Sequence, residues 1–139
     1  MLTAYPCRGN RVLIIEDEAA IAFDLEARLR DAGFEPVGPA LDRDDAVAIV
    51  RAGEFDSAVV DVGVLGSSMD EIMRLLVERG VPFLFVTGYD VPLLPAWLAA
   101  AERITKPCHL PDLIDRLNAL CGKPLELAHA LDAELAHPR

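Results

Sequence analysis

Short apolar runs alternate along most of this chain with stretches of helical spacing. Arg11-Val12-Leu13-Ile14-Ile15 is rich in β-branched residues and ends in Glu16-Asp17-Glu18, which predicts a first strand. From Ala19 to Ala32 the period lengthens. Ile21/Ala22, Leu25, Leu29 and Ala32 fall on one face, predicting a helix with Gly33 at its C-cap. Glu35-Pro36-Val37-Gly38-Pro39 reads as a poor strand, because two prolines are tolerated only at a sheet edge. Asp42 to Ala52 is again helical, with Ala46, Val47, Ile49 and Val50 apolar and Gly53 as the stop.

The next run, Asp56-Ser57-Ala58-Val59-Val60-Asp61, is short, apolar and bounded by turn residues. It predicts a strand buried in a parallel sheet, with Asp61 where the chain leaves that sheet. Gly63 and Gly66 allow the following loop to bend tightly. Ser67 or Ser68 is a cap for the next helix, and Glu71 completes a capping box with Ser68. Met69, Ile72, Met73 and Leu76 form that helix's buried stripe, and Gly80 ends it. Val81 to Val86 predicts a fourth strand closing on Thr87-Gly88-Tyr89-Asp90.

Beyond Asp90 the pattern weakens. Pro92 and Pro95 prevent a helix from running through that stretch, although a short one starting at Pro95 fits Trp97 to Ala101. Arg103-Ile104-Thr105 predicts a brief fifth strand leading to Lys106-Pro107. Leu110, Leu113, Ile114, Leu117, Leu120 and Cys121 mark an amphipathic helix. Five strand–helix alternations predict an α/β fold, a doubly wound parallel sheet of five strands. The edge-like second strand fits the flavodoxin-like order 2-1-3-4-5.

The domain organisation expected is a tail at residues 1–10, one folded unit at 11–122 and an extension at 123–139. In the extension, Leu127, Leu131 and Leu135 stand at four-residue intervals, the spacing of a further helix. Composition narrows the function. A net charge of −10, without any Lys/Arg run, argues against a nucleic-acid partner, which needs a basic patch. No apolar run approaches the roughly 18 residues of a membrane span, and the N-terminal residues lack a secretory pattern. The expectation is a cytoplasmic protein without a membrane partner. Cys7, Cys108 and Cys121 are an odd number without metal-ligand spacing, which excludes a disulfide framework or a zinc site.

Candidate chemistry gathers at the predicted strand ends: Glu16-Asp17 after the first, Asp61 after the third, Thr87 after the fourth and Lys106 after the fifth. In an open α/β sheet those ends face one crevice. Crowded carboxylates repel one another and stay ionised most easily around a hard divalent cation with oxygen ligands, Mg²⁺ by preference. A carboxylate beside such an ion is a nucleophile toward phosphorus, and a hydroxyl and an ammonium neutralise the transferring oxygens. Each residue has a plainer role: Asp17 as a helix cap, Asp61 as a turn residue, Thr87 as a β-branched strand residue and Lys106 as a solvated cation.

Residues 12–18 (VLIIEDE), Val59-Val60-Asp61 with Gly66, Val86-Thr87 and Thr105-Lys106-Pro107 together resemble the receiver domain of bacterial two-component response regulators, over residues 11 to 121. The resemblance implies that Asp61 is the phosphoacceptor, charged from a phosphohistidine on a sensor histidine kinase. It implies that Asp17, Asp61 and the Gly63 carbonyl ligate Mg²⁺, with Glu16 acting through bound water. It also implies that Thr87 and Lys106 contact the phosphoryl oxygens and that the Lys106-Pro107 bond is cis. Signalling would proceed by docking on a downstream protein or by relay to a phosphotransfer protein.

One departure stands out. Receivers of this type carry Tyr or Phe three residues before the lysine, and here that position is Arg103. Residues 82–89 (PFLFVTGY) are similar to a branch named for a Phe-Ala-Thr-Gly run, whose members also lack the aromatic residue and are often single-domain regulators served by kinases of the HWE or related type. Val86 replaces the usual alanine. The proline-broken segment 90–101 is then the element expected to become ordered on phosphorylation, and Trp97 is either core or part of a partner surface. Two rival readings are a phosphorylation-independent pseudo-receiver binding module and a small α/β enzyme. An intact acidic pair, Asp61, Thr87 and Lys106 argue against the first. A missing glycine-rich phosphate loop after the first strand argues against the second.

Overall fold

The computed structural model describes residues 9–61, 63, 69–87, 103–105 and 109–121. Among them are β1 (Arg11–Ile15), α1 (Ala19–Asp31), β2 (Glu35–Ala40), α2 (Arg43–Ala52), β3 (Ser57–Asp61), α3 (Met69–Glu78), β4 (Phe83–Thr87), β5 (Arg103–Thr105) and α4 (Leu110–Cys121). The strands form one parallel sheet in the order β2-β1-β3-β4-β5. This is the α/β arrangement and strand order that the sequence predicts.

Strands buried on both faces must present apolar side chains to both, which is why Val12 to Ile15, Ala58 to Val60 and Phe83 to Val86 read as unbroken runs. One face gathers Leu13, Ile15, Ala58, Val60, Phe83 and Phe85 with Ala46 and Val50 of α2 and Ile72, Met73 and Leu76 of α3. The other gathers Val12, Ile14, Val59, Leu84 and Val86 with Leu25 and Leu29 of α1 and Leu113 and Leu117 of α4. The Phe83 and Phe85 rings meet at 5.3 Å between centroids, tilted by 58°, in the first of these clusters.

The α1 stripe is narrower than its sequence suggests. Ala22, Leu25 and Leu29 are buried, whereas Ile21 is 41% exposed and Ala32 is also exposed. A rise of 100° per residue carries Ile21 to the margin of the stripe, and Ala32 is already the C-cap, with Gly33 beyond it at φ +96°. Asp42 caps α2, accepting a hydrogen bond from the Asp45 amide at 2.9 Å. Gly53 ends that helix in the left-handed conformation. A Cβ there would strike the Arg79 guanidinium, whose Nη2 donates to the Arg51 carbonyl.

β2 takes the edge, as its prolines require. Its pairing slips between Leu13↔Val37 and Ile15↔Ala40, so the Gly38–Pro39 pair bulges against Ile14. Gly38 has φ +94° and its peptide bond to Pro39 is cis. The Ser67/Ser68 capping box, segment 90–101 with Trp97, and the leucine stripe of 123–139 lie outside the described residues. Glu71 pairs with Arg51 of α2 at 2.8 Å.

Candidate functional site

β1 and β3 are neighbours in register, Ile15 opposite Val60, so Glu16 and Asp61 follow one step further along adjacent strands. Apolar burial of the two strands fixes that juxtaposition; the acids are carried to the same edge by the packing behind them. One carboxylate oxygen each from Glu16, Asp17 and Asp61 lies within 4.8 Å of the others.

The three acids sit differently. Glu16 is buried, at 4% exposure, and its Oε2 accepts a hydrogen bond from the Glu18 amide at 3.1 Å. Its own amide donates to the Ala40 carbonyl at 3.0 Å. Asp17 is exposed at the rim. The N-cap of α1 is Glu18, without a side-chain cap bond of its own. The capping role open to Asp17 is therefore filled elsewhere: Glu16 binds the amide at the cap, one residue before the helix. Asp61 is partly buried, and its Oδ1 accepts from the Gly63 amide at 3.0 Å. A Cβ on Gly63 would come within 3.4 Å of that oxygen.

β4 extends one register step beyond Asp61, since Asp61 pairs with Val86 and Thr87 follows it. Thr87 is 5% exposed and is the last residue of its strand. It pairs in register with Thr105 of β5. Four strands thus deliver Glu16, Asp17, Asp61, Thr87 and Thr105 to one carboxyl edge of the sheet. Lys106, Pro107 and their expected cis bond lie outside the described residues, as do Gly66 and Gly88.

Three carboxylates at this separation carry mutual repulsion that a multivalent cation removes, and their donor atoms are all hard oxygens. The residues therefore fit a divalent ion of the Mg²⁺ kind. Sequence reading found these acids by their positions after apolar runs. It did not pair Thr105 with Thr87, a relation given only by the strand register, nor find the Glu16–Glu18 bond. It also missed the Asp56 side chain, which accepts from the Arg11 amide at 3.0 Å and from Arg11 Nε at 3.4 Å at the opposite end of the sheet.

No family model matches the chain. Individual proteins do. The transcriptional regulatory protein PdtaR of Mycobacterium tuberculosis is 31% identical over 131 residues, covering 91% of this chain and 63% of PdtaR. The chain thus spans less than two thirds of the length of that relative. The solution structure of SdrG from Sphingomonas melonis Fr1 superimposes with a TM-score of 0.68 at 30% identity, covering 80% of this chain and 95% of SdrG. A response regulator receiver domain protein (CheY-like) from Methanospirillum hungatei shares the fold, with a TM-score of 0.68 at 20% identity over 80% of this chain and 93% of that one. A five-stranded sheet in the order 2-1-3-4-5, an acidic cluster at its carboxyl edge and these likenesses agree: the chain belongs to the response regulator receiver domains of two-component signalling.

Proposed function

We propose that this chain is a phosphoryl-accepting signalling domain in which Asp61 takes a phosphoryl group from a phosphohistidine on a sensor histidine kinase. The observation that carries the reading is the meeting of Glu16, Asp17 and Asp61 within 4.8 Å at the sheet edge. One Asp61 oxygen is held by the Gly63 amide, which fixes the carboxyl plane. The Asp61 oxygen forms a bond to phosphorus as the donor's N–P bond breaks, and the imidazole leaves with the electron pair.

Asp17, Asp61 and the Gly63 carbonyl would hold Mg²⁺, with Glu16 acting through water. The ion, when bound, supplies positive charge against the cluster and the incoming oxygens. The Thr87 hydroxyl donates to a phosphoryl oxygen, and Lys106 supplies a second positive charge. The functional unit runs over residues 11–122, flanked by a tail at 1–10 and an extension at 123–139. The run from Pro82 to Tyr89 supports membership of the Phe-Ala-Thr-Gly branch. With it come single-domain action, a kinase of the HWE or related type, and output by docking or relay in the cytoplasm, without nucleic acid or membrane.

Incubation with Mg²⁺ and acetyl phosphate, beside an Asp61→Asn variant, tests the reading. One labile phosphoryl group per chain, absent in the variant, is the expected result. No labelling of the parent protein favours a phosphorylation-independent binding module. Catalytic turnover without stable labelling favours an enzyme.

A further inference from the structure

We propose that Thr105 is a second hydroxyl of the site, a positioning residue that donates a hydrogen bond to Thr87 Oγ1 and thereby orients and strengthens Thr87 as a donor to the phosphoryl group; the proposal rests on the phosphoacceptor reading above. The basis is register. β4 and β5 pair Phe85↔Arg103, Val86↔Ile104 and Thr87↔Thr105, so the two threonines stand side by side at the last step of the ladder.

They also share a face. Leu84 and Val86 pack with α1 and α4, as does Ile104, which assigns Thr87 and Thr105, the next residue along each strand, to the opposite side. Neighbouring strands are roughly 4.8 Å apart, and two hydroxyls projecting from such positions come within hydrogen-bond reach by rotation about χ1.

The two threonines differ in solvation. Thr87 is 5% exposed, whereas Thr105 is exposed. Among the described residues no hydrogen bond within the protein uses either hydroxyl. A hydroxyl on a largely buried residue gains from a protein partner. A hydroxyl has one proton to give and two lone pairs to receive. If Thr87 gives its proton to the phosphoryl oxygen, its acceptor side is left for a neighbour. Thr105 is in place to fill it, and its exposure lets water supply its own acceptor side. A chain running from Thr105 to Thr87 to the phosphoryl oxygen polarises each bond in turn. Valine would preserve the shape of either threonine and remove only the hydroxyl.

The experiment compares the full chain with Thr105→Val, Thr105→Ser and Asp61→Asn, using acetyl phosphate and Mg²⁺. It reads the initial labelling rate and the phosphoryl lifetime, with the thermal midpoint of each variant recorded. The expected outcome is labelling about three- to tenfold slower in Thr105→Val, the size of one lost hydrogen bond, with recovery in Thr105→Ser and little change in thermal midpoint. Equal rates and lifetimes in the parent chain and Thr105→Val would overturn the proposal. So would a defect in Thr105→Ser as large as that in Thr105→Val, which marks a packing role. Labelling of the parent that survives in Asp61→Asn, or no labelling at all, removes the phosphoacceptor reading itself and is distinct from either result.

Discussion

The Gly63 amide reaches back to Asp61 Oδ1 at 3.0 Å, two residues after the end of β3. That bond ties the loop backbone to the side chain from which the chemistry is proposed to start. Proline at this position lacks the N–H and sets its ring where the Asp61 oxygen now approaches the amide, so it removes the bond and displaces the carboxylate. Gly63→Pro is expected to lower the rate of Asp61 labelling by about tenfold, whereas Gly63→Ala, whose Cβ would stand 3.4 Å from Oδ1, stays within about threefold of the parent. Labelling kinetics with acetyl phosphate measure both. Equal rates for Pro and Ala would deny the amide any part.

The acidic cluster leads to opposite effects with and without metal. Asp17 stands exposed beside Glu16 and Asp61, so neutralising it relieves repulsion when no cation is present. Asp17→Asn is expected to raise the thermal midpoint in EDTA by about 2–4 °C. In millimolar Mg²⁺ the order reverses, because the parent gains binding free energy that the variant lacks. The same variant should bind Mg²⁺ at least about tenfold more weakly by calorimetry, having lost one charged oxygen ligand. Stabilisation of both proteins by Mg²⁺ to the same extent would show that Asp17 is not a ligand.

Phe85 is fully buried at the centre of the cluster that joins β4 to α2 and α3, with its ring against Phe83. Phe85→Ala leaves a cavity that rigid neighbouring strands do not close, and is expected to cost about 3–5 kcal/mol by denaturant unfolding. Phe85→Leu, closer in volume, should cost less than half of that. Asp61 and Thr87 are held by the same strands, so loss of Mg²⁺ affinity in Phe85→Ala would report how much of the site's geometry depends on packing behind it.

Much of the architecture was legible because each strand is buried on both faces and therefore uninterrupted in apolar character. Val12 to Ile15 and Phe83 to Val86 left little room for another reading. The acids were legible for the same reason, as the first charged residues after those runs. Ile21 was not: its apolar side chain fits the periodicity, yet helical geometry carries it 41% into solvent. The slip of register at Gly38–Pro39 was also hidden, since residues 35–40 (EPVGPA) could give any pairing until Ile15 met Ala40. Cross-strand neighbours such as Thr87 and Thr105 are far apart in the chain, and only the β4–β5 ladder relates them.

The prolines of β2 have a consequence beyond its place in the sheet order. An outermost strand with unpaired N–H groups is a template on which a second molecule can extend the sheet. Pro36 and Pro39 remove two donors from that border, and the bulge at Gly38 bends what is left. Along this border the chain resists joining its copies strand to strand at high concentration, so self-association there would have to use side chains rather than backbone.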